Sequence, residues 1–136
     1  MAHSKFRVEV LTPEGEVFND EVEQISTKTT VGSIGVLAHH QPILAMLDPT
    51  ELRLYRTESE CVRFAQAEGY MQMTANHALI LVEEAHAPGD LDAASLRERL
   101  QQAEREIESA GDDTEKRRVA ERDKARLETF LGIAEG

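Results

Sequence analysis

The five histidines are the side chains with the greatest capacity for chemistry in this chain of 136 residues. Two imidazoles bind one metal ion most readily when they are spaced i, i+4 on a helix or i, i+2 on a strand. The histidines of this chain have neither spacing: they are His3, His39, His40, His77 and His86. We therefore expect no metal site and no bound cofactor.

The potential nucleophiles and acid–base residues also lie outside the sequence motifs that are typical of catalytic sites. No serine lies in a G-x-S-x-G elbow, and Cys61 is a single cysteine without the features of a nucleophile. Glu83 and Glu84 are adjacent, so in a strand they face opposite sides of the sheet. The G-S-I-G segment at residues 32–35 is too short for a phosphate loop and has no lysine, and we predict a turn there. We predict no catalytic residues.

Charge and composition exclude further classes of function. The chain has 26 acidic and 15 basic side chains and a formal net charge of -11, which disfavours nucleic acid and anionic lipid as partners. Aromatic residues make up only 4% and tryptophan is absent, so no platform for stacking bases is expected. The longest apolar stretch, at residues 78–82, is far shorter than a membrane span. We expect contact with a membrane only through a partner.

The first part of the chain has the alternation of β-strands. Phe6, Val8 and Val10 alternate with Arg7 and Glu9, and a T-P-E-G turn follows. Further strand-like segments lie at residues 21–31, 35–37, 43–47, 51–57, 61–66, 70–73 and 77–85. Short strands without helices between them leave no room for parallel crossovers and predict an antiparallel β-sandwich or barrel. We assign this domain to residues 1–88.

The remainder, residues 89–136, changes to a helical period. Apolar residues recur at intervals of four, three, four and three, at Leu96, Leu100, Ala103, Ile107 and Ala110. Asp92 is placed to cap this helix, and Gly111 to end it in a left-handed conformation. Glu115 is expected to form a capping box for a second helix that ends near Leu131. The predicted fold class is thus α+β, a sandwich followed by an antiparallel two-helix hairpin.

The second predicted helix is cationic and poor in apolar residues. Between positions 116 and 126 it has six basic residues and only two acidic ones, Glu121 and Asp123. The basic residues are Lys116, Arg117, Arg118, Arg122, Lys124 and Arg126. So little apolar surface predicts a marginally held hairpin that is able to detach, and a cationic stripe suits an acidic protein surface. The alternative is a solvated helix face on a static appendage.

The segment G-S-I-G-V-L-A-H-H-Q-P-I at residues 32–43 resembles G-E-[IL]-G-[IV]-L-P-x-H-x-P-[IL], a pattern of the epsilon subunit of F-type ATP synthases. Three other segments are similar to that family in the same order: F-R-V-E-V-L-T-P at 6–13, E-G-Y-M-Q-M at 68–73 and L-D at 91–92. The T-T-V-G segment at 29–32 is most similar to the actinobacterial branch. The resemblance covers nearly the whole chain.

The resemblance implies a non-catalytic subunit of the rotary motor's central stalk, peripheral on the cytoplasmic face of the bacterial cell membrane. In that family the β domain packs against the gamma subunit and the c-ring and couples ring rotation to the catalytic head. The matched docking positions are Gly32, Ser33, Ile34, Gly35, His40 and Pro42. Ser33 is expected at the tip of this loop. Ala38 replaces the family's usual proline, which should leave the loop less rigid.

The resemblance also implies a role for the hairpin. In that family it either folds down or extends into the head, where its basic residues meet acidic segments of the alpha and beta subunits and block hydrolysis. The six basic residues of the second helix would make this inhibitory contact here. Some members bind ATP through [IL]-D-x-x-R-A, whereas this chain has L-D-A-A-S-L at residues 91–96 and keeps only Asp92 of the polar pair. We expect no tight binding of ATP.

Two other classes of function are left open by the residues themselves. One is a free-standing β-sandwich adaptor whose hairpin serves for dimerisation, which predicts a stable homodimer. The other is a small cupin-like metalloprotein, which would require bound metal and is disfavoured by the histidine spacing.

Overall fold

Two separately packed units make up the chain in the computed structural model, which describes residues 3–136. One unit ends at Ala87 and the other spans Pro88–Gly136. The division therefore lies one residue before the boundary that the change of period predicts.

The described part of the first unit, from residue 3 onward, contains ten β-strands whose inward positions are mostly apolar. In β1 the side chains of Phe6, Val8 and Val10 are buried, while Arg7 between them is exposed. The strands are β1 Phe6–Thr12, β2 Gly15–Val22, β3 Gln24–Thr29, β4 Gly32–Leu37, β5 Ile43–Leu47, β6 Thr50–Tyr55, β7 Cys61–Gln66, β8 Gly69–Thr74, β9 His77–Val82 and β10 Ala85–His86. Period-two alternation of this kind is what a sheet with one covered face requires.

The strands follow the order β10-β7-β6-β3-β5-β8-β9-β1-β2, with β4 paired to β3. All neighbours are antiparallel except β1 and β9, which run parallel, with Val8 beside Ala78 and Val10 beside Ile80. The expectation of purely antiparallel pairing is wrong at this point. Seven other strands connect β1 to β9, so the pair needs no dedicated crossover helix. The predicted sandwich followed by two helices is confirmed.

The interior of the sandwich is mostly apolar, and two of its few buried polar side chains form a hydrogen-bonded pair. The hydroxyl of Thr27 donates to Oε1 of Gln66 at 2.6 Å, and both side chains are buried. The Nε2 of Gln66 donates to the carbonyl oxygens of Asp48 and Ala67 at 2.9 and 3.1 Å. Every polar atom of Gln66 thus has a partner, which removes the penalty for burying an amide.

The second unit begins with a 3₁₀ turn at Pro88–Asp90 and contains helices α1 Ala93–Ser109 and α2 Thr114–Glu135. Asp92 caps α1 by accepting the backbone N–H groups of Ala94 and Ser95 at 3.1 and 3.4 Å, as predicted. Gly111 lies in the predicted left-handed conformation, with a φ of 57°. Few side chains are buried in the helices: Leu96, Ala103, Ala120, Arg126, Leu127 and Phe130.

Two details of this unit differ from the sequence-based expectation. The N-cap of α2 is Asp113, which accepts the N–H of Lys116 at 3.0 Å, so the capping box through Glu115 is wrong. Glu115 instead forms an ion pair with Arg118, with 2.6 Å between Oε1 and Nη2. Helix α2 also continues four residues beyond Leu131. Gly132 lowers the helix propensity there, but it keeps its backbone N–H and so does not end the helix. Neither α1 nor α2 is long and apolar enough to cross a bilayer.

Candidate functional site

The predicted docking segment begins in a β-hairpin rather than in a turn. Residues 32–35 form the start of β4 and pair with β3. The pairs are Gly32 with Thr29, Ser33 with Lys28, Ile34 with Thr27 and Gly35 with Ser26. The prediction of a turn at 32–35 is therefore wrong, as is the placement of Ser33 at its tip. The tip consists of Thr30 and Val31, which connect the two strands.

The side chain of Thr29 closes this turn. Its Oγ1 accepts the N–H of Val31 at 3.2 Å and donates to the carbonyl oxygen of Gly32 at 2.9 Å. A threonine hydroxyl therefore closes the turn, whereas the sequence predicts that the two glycines at positions 32 and 35 form it. Of these two glycines, Gly32 has a positive φ, of 140°, and Gly35 does not. The turn holds Val31 with 95% of its surface exposed.

His40 and Pro42 lie at the other end of β4, in the connection to β5. The six residues of β4 separate this connection from the hairpin tip by roughly 17–20 Å, at about 3.3 Å per residue. The Nδ1–H of His40 donates to the carbonyl oxygen of Gln41 at 2.8 Å. The predicted docking loop is thus divided into two surfaces, one at each end of the strand.

An exposed apolar surface crosses β5, β8 and β9, and we call Leu44, Met46, Tyr70 and Leu81 the outer apolar face. Their exposed fractions are 78%, 56%, 52% and 44%. Met46 lies opposite Tyr70, which in turn lies opposite Leu81, so three of the four form one row across adjacent strands. Outward positions of an antiparallel sheet are polar when they face only water. A contiguous apolar row therefore indicates a contact surface.

Our sequence reasoning missed the outer apolar face, although the sequence carries a signal for it. The segments I-L-A-M-L of β5 and A-L-I-L-V within β9 are apolar without interruption, whereas half-buried strands alternate. Such runs are typical of strands that are covered on both faces.

A groove adjoins the outer apolar face. Leu11, Tyr70 and Leu81 contribute apolar lining, and Glu68 and Glu83 are among the other lining residues. An apolar groove with acidic neighbours is complementary to a partner segment that combines an apolar side chain with basic ones.

The six basic residues of α2 do not form one array. At 100° per residue, Arg118, Arg122 and Arg126 follow one stripe of the helix, while Lys116, Arg117 and Lys124 lie on another side. Arg118 is paired with Glu115, and Arg117 donates from Nη2 to the carbonyl oxygen of Gly111 at 2.8 Å. The same ion pair lowers the pKa of Glu115 and raises that of Arg118.

Arg126 differs from the other five because it is buried, with 8% of its surface exposed. Its Nη1 lies 4.0 Å from Oδ1 of Asp123, one turn earlier on the same helix. In this conformation Arg126 is therefore not presented to a partner. Lys116, Arg118 and Arg122 are exposed, and Arg117 and Lys124 are half-buried.

The remaining candidates have local partners. The carboxylate of Asp92, the residue matched to a nucleotide site, is used in capping α1. His77 lies 2.9 Å from Glu9 and His86 lies 3.0 Å from Glu84. Across residues 3–136, no group of three or more histidine, cysteine or acidic side chains is arranged to hold a metal ion.

The described residues thus form a small β-sandwich with an exposed apolar face, followed by a helical hairpin. The family described as "ATP synthase, Delta/Epsilon chain, beta-sandwich domain" matches residues 5–88. The chain belongs to the family of ATP synthase epsilon chains, which confirms the resemblance seen at residues 32–43.

Full-length relatives support this assignment. The chain is 33% identical over 130 residues to the ATP synthase epsilon chain of Persephonella marina, covering 95% of this chain and 96% of the relative. It is 26% identical over 129 residues to that of a Sulfurihydrogenibium species, with the same coverages of 95% and 96%.

Solved structures share the fold. A chain of the Euglena gracilis mitochondrial ATP synthase, in a structure of "OSCP/F1/c-ring in rotational state 1", superposes with a TM-score of 0.79 at 19% identity, covering 94% of this chain and 80% of that one. A chain of the Tetrahymena thermophila mitochondrial ATP synthase "central stalk/cring" superposes with a TM-score of 0.64 at 20% identity, covering 98% and 99%.

Proposed function

We propose that this chain is a non-catalytic rotor subunit of an F-type ATP synthase, located in the central stalk. Its sandwich docks on the gamma subunit and the c-ring and so couples ring rotation to the catalytic head. Its helical hairpin restrains ATP hydrolysis by contacting the alpha and beta subunits. Membership of the epsilon-chain family supports the proposal, as do the two neighbouring structures, which are of assemblies described as containing a c-ring and, in one case, a central stalk.

The outer apolar face carries the docking part of the proposal. Four large apolar side chains lie at outward positions of three adjacent strands, where water alone would favour polar residues. Burying such a row against a partner gains roughly 25 cal/mol per Å² of apolar surface. The neighbouring groove adds specificity, because Glu68 and Glu83 favour a partner segment with basic side chains.

The β3–β4 hairpin and the connection at residues 38–42 provide further docking surfaces at the two ends of β4. The first presents Gly32, Ser33, Ile34 and Gly35 beside the exposed Val31, and the second presents His40 and Pro42. A subunit that transmits torque has to be stiff between its contacts. The long-range pairing of β1 with β9 and the apolar core supply that stiffness.

The hairpin has the composition of a two-state element. Its buried residues are few, and three of them, Ala103, Ala110 and Ala120, are alanines that bury little surface. Docked and extended states that differ by only a few kcal/mol can be shifted by a partner or a ligand. Lys116, Arg117, Arg118, Arg122, Lys124 and Arg126 then contact acidic segments of the head, and Arg126 does so only after leaving its buried position.

Localisation follows from the same assembly. We propose that the chain is peripheral on the cytoplasmic face of the bacterial membrane and is held there through the c-ring. The catalytic chemistry belongs to other subunits of the complex. The similarity of the T-T-V-G segment to the actinobacterial branch of the family stays a prediction about the origin of the chain.

A single charge on the outer apolar face tests the docking surface. Tyr70→Glu should weaken binding to a detergent-solubilised complex of the gamma subunit and the c-ring by about tenfold or more, because a carboxylate would be desolvated in the interface. Ser59→Glu adds the same charge at an exposed loop position away from this face and should bind as the wild type does. Equal affinities of the two variants would contradict the assignment of this face. A stable homodimer without affinity for the rotor would favour the adaptor alternative.

A further inference from the structure

Asn76, in the turn between β8 and β9, is joined to His39 in the connection between β4 and β5 by two side-chain contacts. Its Oδ1 accepts the backbone N–H of His39 at 2.7 Å, and its Nδ2 lies 3.3 Å from Nδ1 of the imidazole. The two residues are 37 positions apart in the sequence. We call this pair of contacts the Asn76 clasp.

The chemistry of the clasp fixes the orientation of the amide. A backbone N–H can only donate, so the amide atom that faces it must be the oxygen. The amide nitrogen consequently faces the imidazole and donates to Nδ1, which must be unprotonated. Both bonds form together only in this orientation, and a carboxylate at position 76 could not donate to Nδ1.

The backbone around the clasp is unusual on both sides. Ala75 and Asn76 have φ values of 48° and 59°, and His39 has a φ of 64°. Asparagine tolerates the left-handed region better than most residues, as in tight β-hairpin turns. The carbonyl oxygen of Asn76 also accepts the N–H of Arg7 at 3.1 Å, which ties the turn to β1. The clasp therefore connects residues 38–42 to the body of the sheet.

We propose that Asn76 is a positioning residue for rotor docking, which holds residues 38–42 in one conformation so that His40 and Pro42 are presented to the partner. The inference rests on the proposed function. A segment that is ordered before it binds does not lose that conformational entropy in the complex. Without the clasp, the left-handed conformation at His39 loses the bond that offsets its cost.

The test compares two glycine variants of the full chain. Asn76→Gly removes both contacts and keeps a residue that is comfortable at positive φ. Ala75→Gly changes the neighbouring positive-φ residue, whose side chain cannot form a hydrogen bond, and serves as the matched control. Two readouts are used: hydrogen exchange of the His39 amide by NMR in the isolated chain, and affinity for the solubilised gamma and c-ring complex.

We expect the His39 amide to exchange about tenfold faster in Asn76→Gly, the equivalent of losing one hydrogen bond of ordinary strength, while amides in β8 and β9 stay protected. Rotor affinity should fall about fivefold or more, and Ala75→Gly should leave both readouts near wild type. Asn76→Asp at mildly alkaline pH should retain protection of the His39 amide, because Oδ1 remains as an acceptor.

Each failure has a distinct meaning. Unchanged exchange at His39 in Asn76→Gly would show that the clasp does not hold the segment and would overturn the inference. Faster exchange with unchanged rotor affinity would overturn the role in docking. Failure of the wild-type chain to bind the rotor complex would overturn the proposed function and the docking role together, while the exchange result would still decide whether Asn76 orders residues 38–42.

Discussion

Gly69 in β8 packs its backbone directly against Leu81 in β9. A methyl group on the α-carbon of Gly69 would collide with the carbonyl oxygen of Leu81 and would lie 2.7 Å from the α-carbon of Val82. The φ of Gly69 is not positive, so glycine is required here by close approach of two backbones rather than by conformation.

Gly69→Ala should therefore destabilise the sandwich by about 1–3 kcal/mol, because backbone atoms cannot move aside as a flexible side chain can. The measurement is the free energy of unfolding from urea denaturation. Gly132→Ala adds the same methyl group to α2, where nothing lies within 4 Å, and should stabilise the helix by up to about 1 kcal/mol. Unchanged stability of Gly69→Ala would show that β8 and β9 separate without cost.

The buried pair of Thr27 and Gln66 leads to a second prediction. Thr27→Val keeps the shape of the side chain but leaves Oε1 of Gln66 without its donor, so the free energy of unfolding should fall by about 1–3 kcal/mol. Thr74→Val makes the same replacement at an exposed position of β8 and should change stability by less than about 0.5 kcal/mol. Similar denaturation midpoints for the two variants would argue that water reaches Gln66.

The fold was predictable because its two periods are local. Alternation in β1 and the four-and-three spacing from Leu96 to Ala110 are visible in short windows, and they give a sandwich followed by a hairpin. The parallel pairing of β1 with β9 was not predictable, because it joins residues about seventy positions apart and no local pattern encodes it. Its strands resemble antiparallel ones in composition.

The candidate site was predictable only in part. The two glycines at positions 32 and 35 indicated a turn, but the turn is closed by the hydroxyl of Thr29, one of many threonines whose hydroxyl could have faced water. The contact between Asn76 and His39 depends on two turns meeting in space, which a single sequence does not reveal. The burial of Arg126 depends on the rotation of α2 about its axis, which a stripe of charges does not fix.

The carboxyl group of Asp20 gives a prediction about pH. The backbone N–H of Glu21 is the main cause that lowers its pKa, and the guanidinium of Arg56, 3.0 Å away, contributes next. A pKa that is lower in the folded state than in the unfolded state stabilises the fold above the unfolded-state pKa, and this stability is lost as pH falls through the folded-state pKa.

Arg56→Gln should therefore raise the pKa of Asp20 toward its ordinary value without reaching it, because the bond from Glu21 remains. The measurement is a carbon-detected NMR titration of the Asp20 carboxyl. Arg63→Gln removes a different exposed guanidinium, paired with Glu51 at 3.2 Å, and should leave the Asp20 titration unchanged. An unaltered Asp20 pKa in Arg56→Gln would show that the ion pair is not formed in solution.

Tight binding of ATP is not expected. Asp92 retains the aspartate of the family's nucleotide motif, but its carboxylate accepts the N–H groups of Ala94 and Ser95 and contributes to the start of α1. The hollow between the two helices is lined by Arg99 and Arg126 together with Glu106 and Asp123, so its formal charges cancel. Calorimetric titration with Mg-ATP should show no saturation at micromolar concentrations, and saturation there would contradict the prediction.

The proposed inhibitory role of the hairpin gives the last prediction. Truncation after Gly89 should raise ATP hydrolysis by the reconstituted complex, and replacing five basic residues by alanine should have the same effect. The five are Lys116, Arg117, Arg118, Arg122 and Lys124. Arg126 is kept because it is buried, and its removal would disturb packing as well as charge. Alanine preserves helix propensity, so α2 should remain a helix by circular dichroism.

The five proposed ion pairs with the head, at the roughly 0.2–1 kcal/mol each that is typical of surface pairs, would contribute at least about 1 kcal/mol, so the five-residue variant should hydrolyse ATP about fivefold faster. The difference from wild type should shrink as salt is added, because exposed ion pairs are screened. The double variant of Arg99→Ala and Arg105→Ala removes cations from α1 and should hydrolyse ATP at the wild-type rate. Truncation could raise hydrolysis while the five-residue variant does not. The hairpin would then inhibit by occupying space, because inhibition that persists without the five cations cannot depend on their attraction to acidic segments.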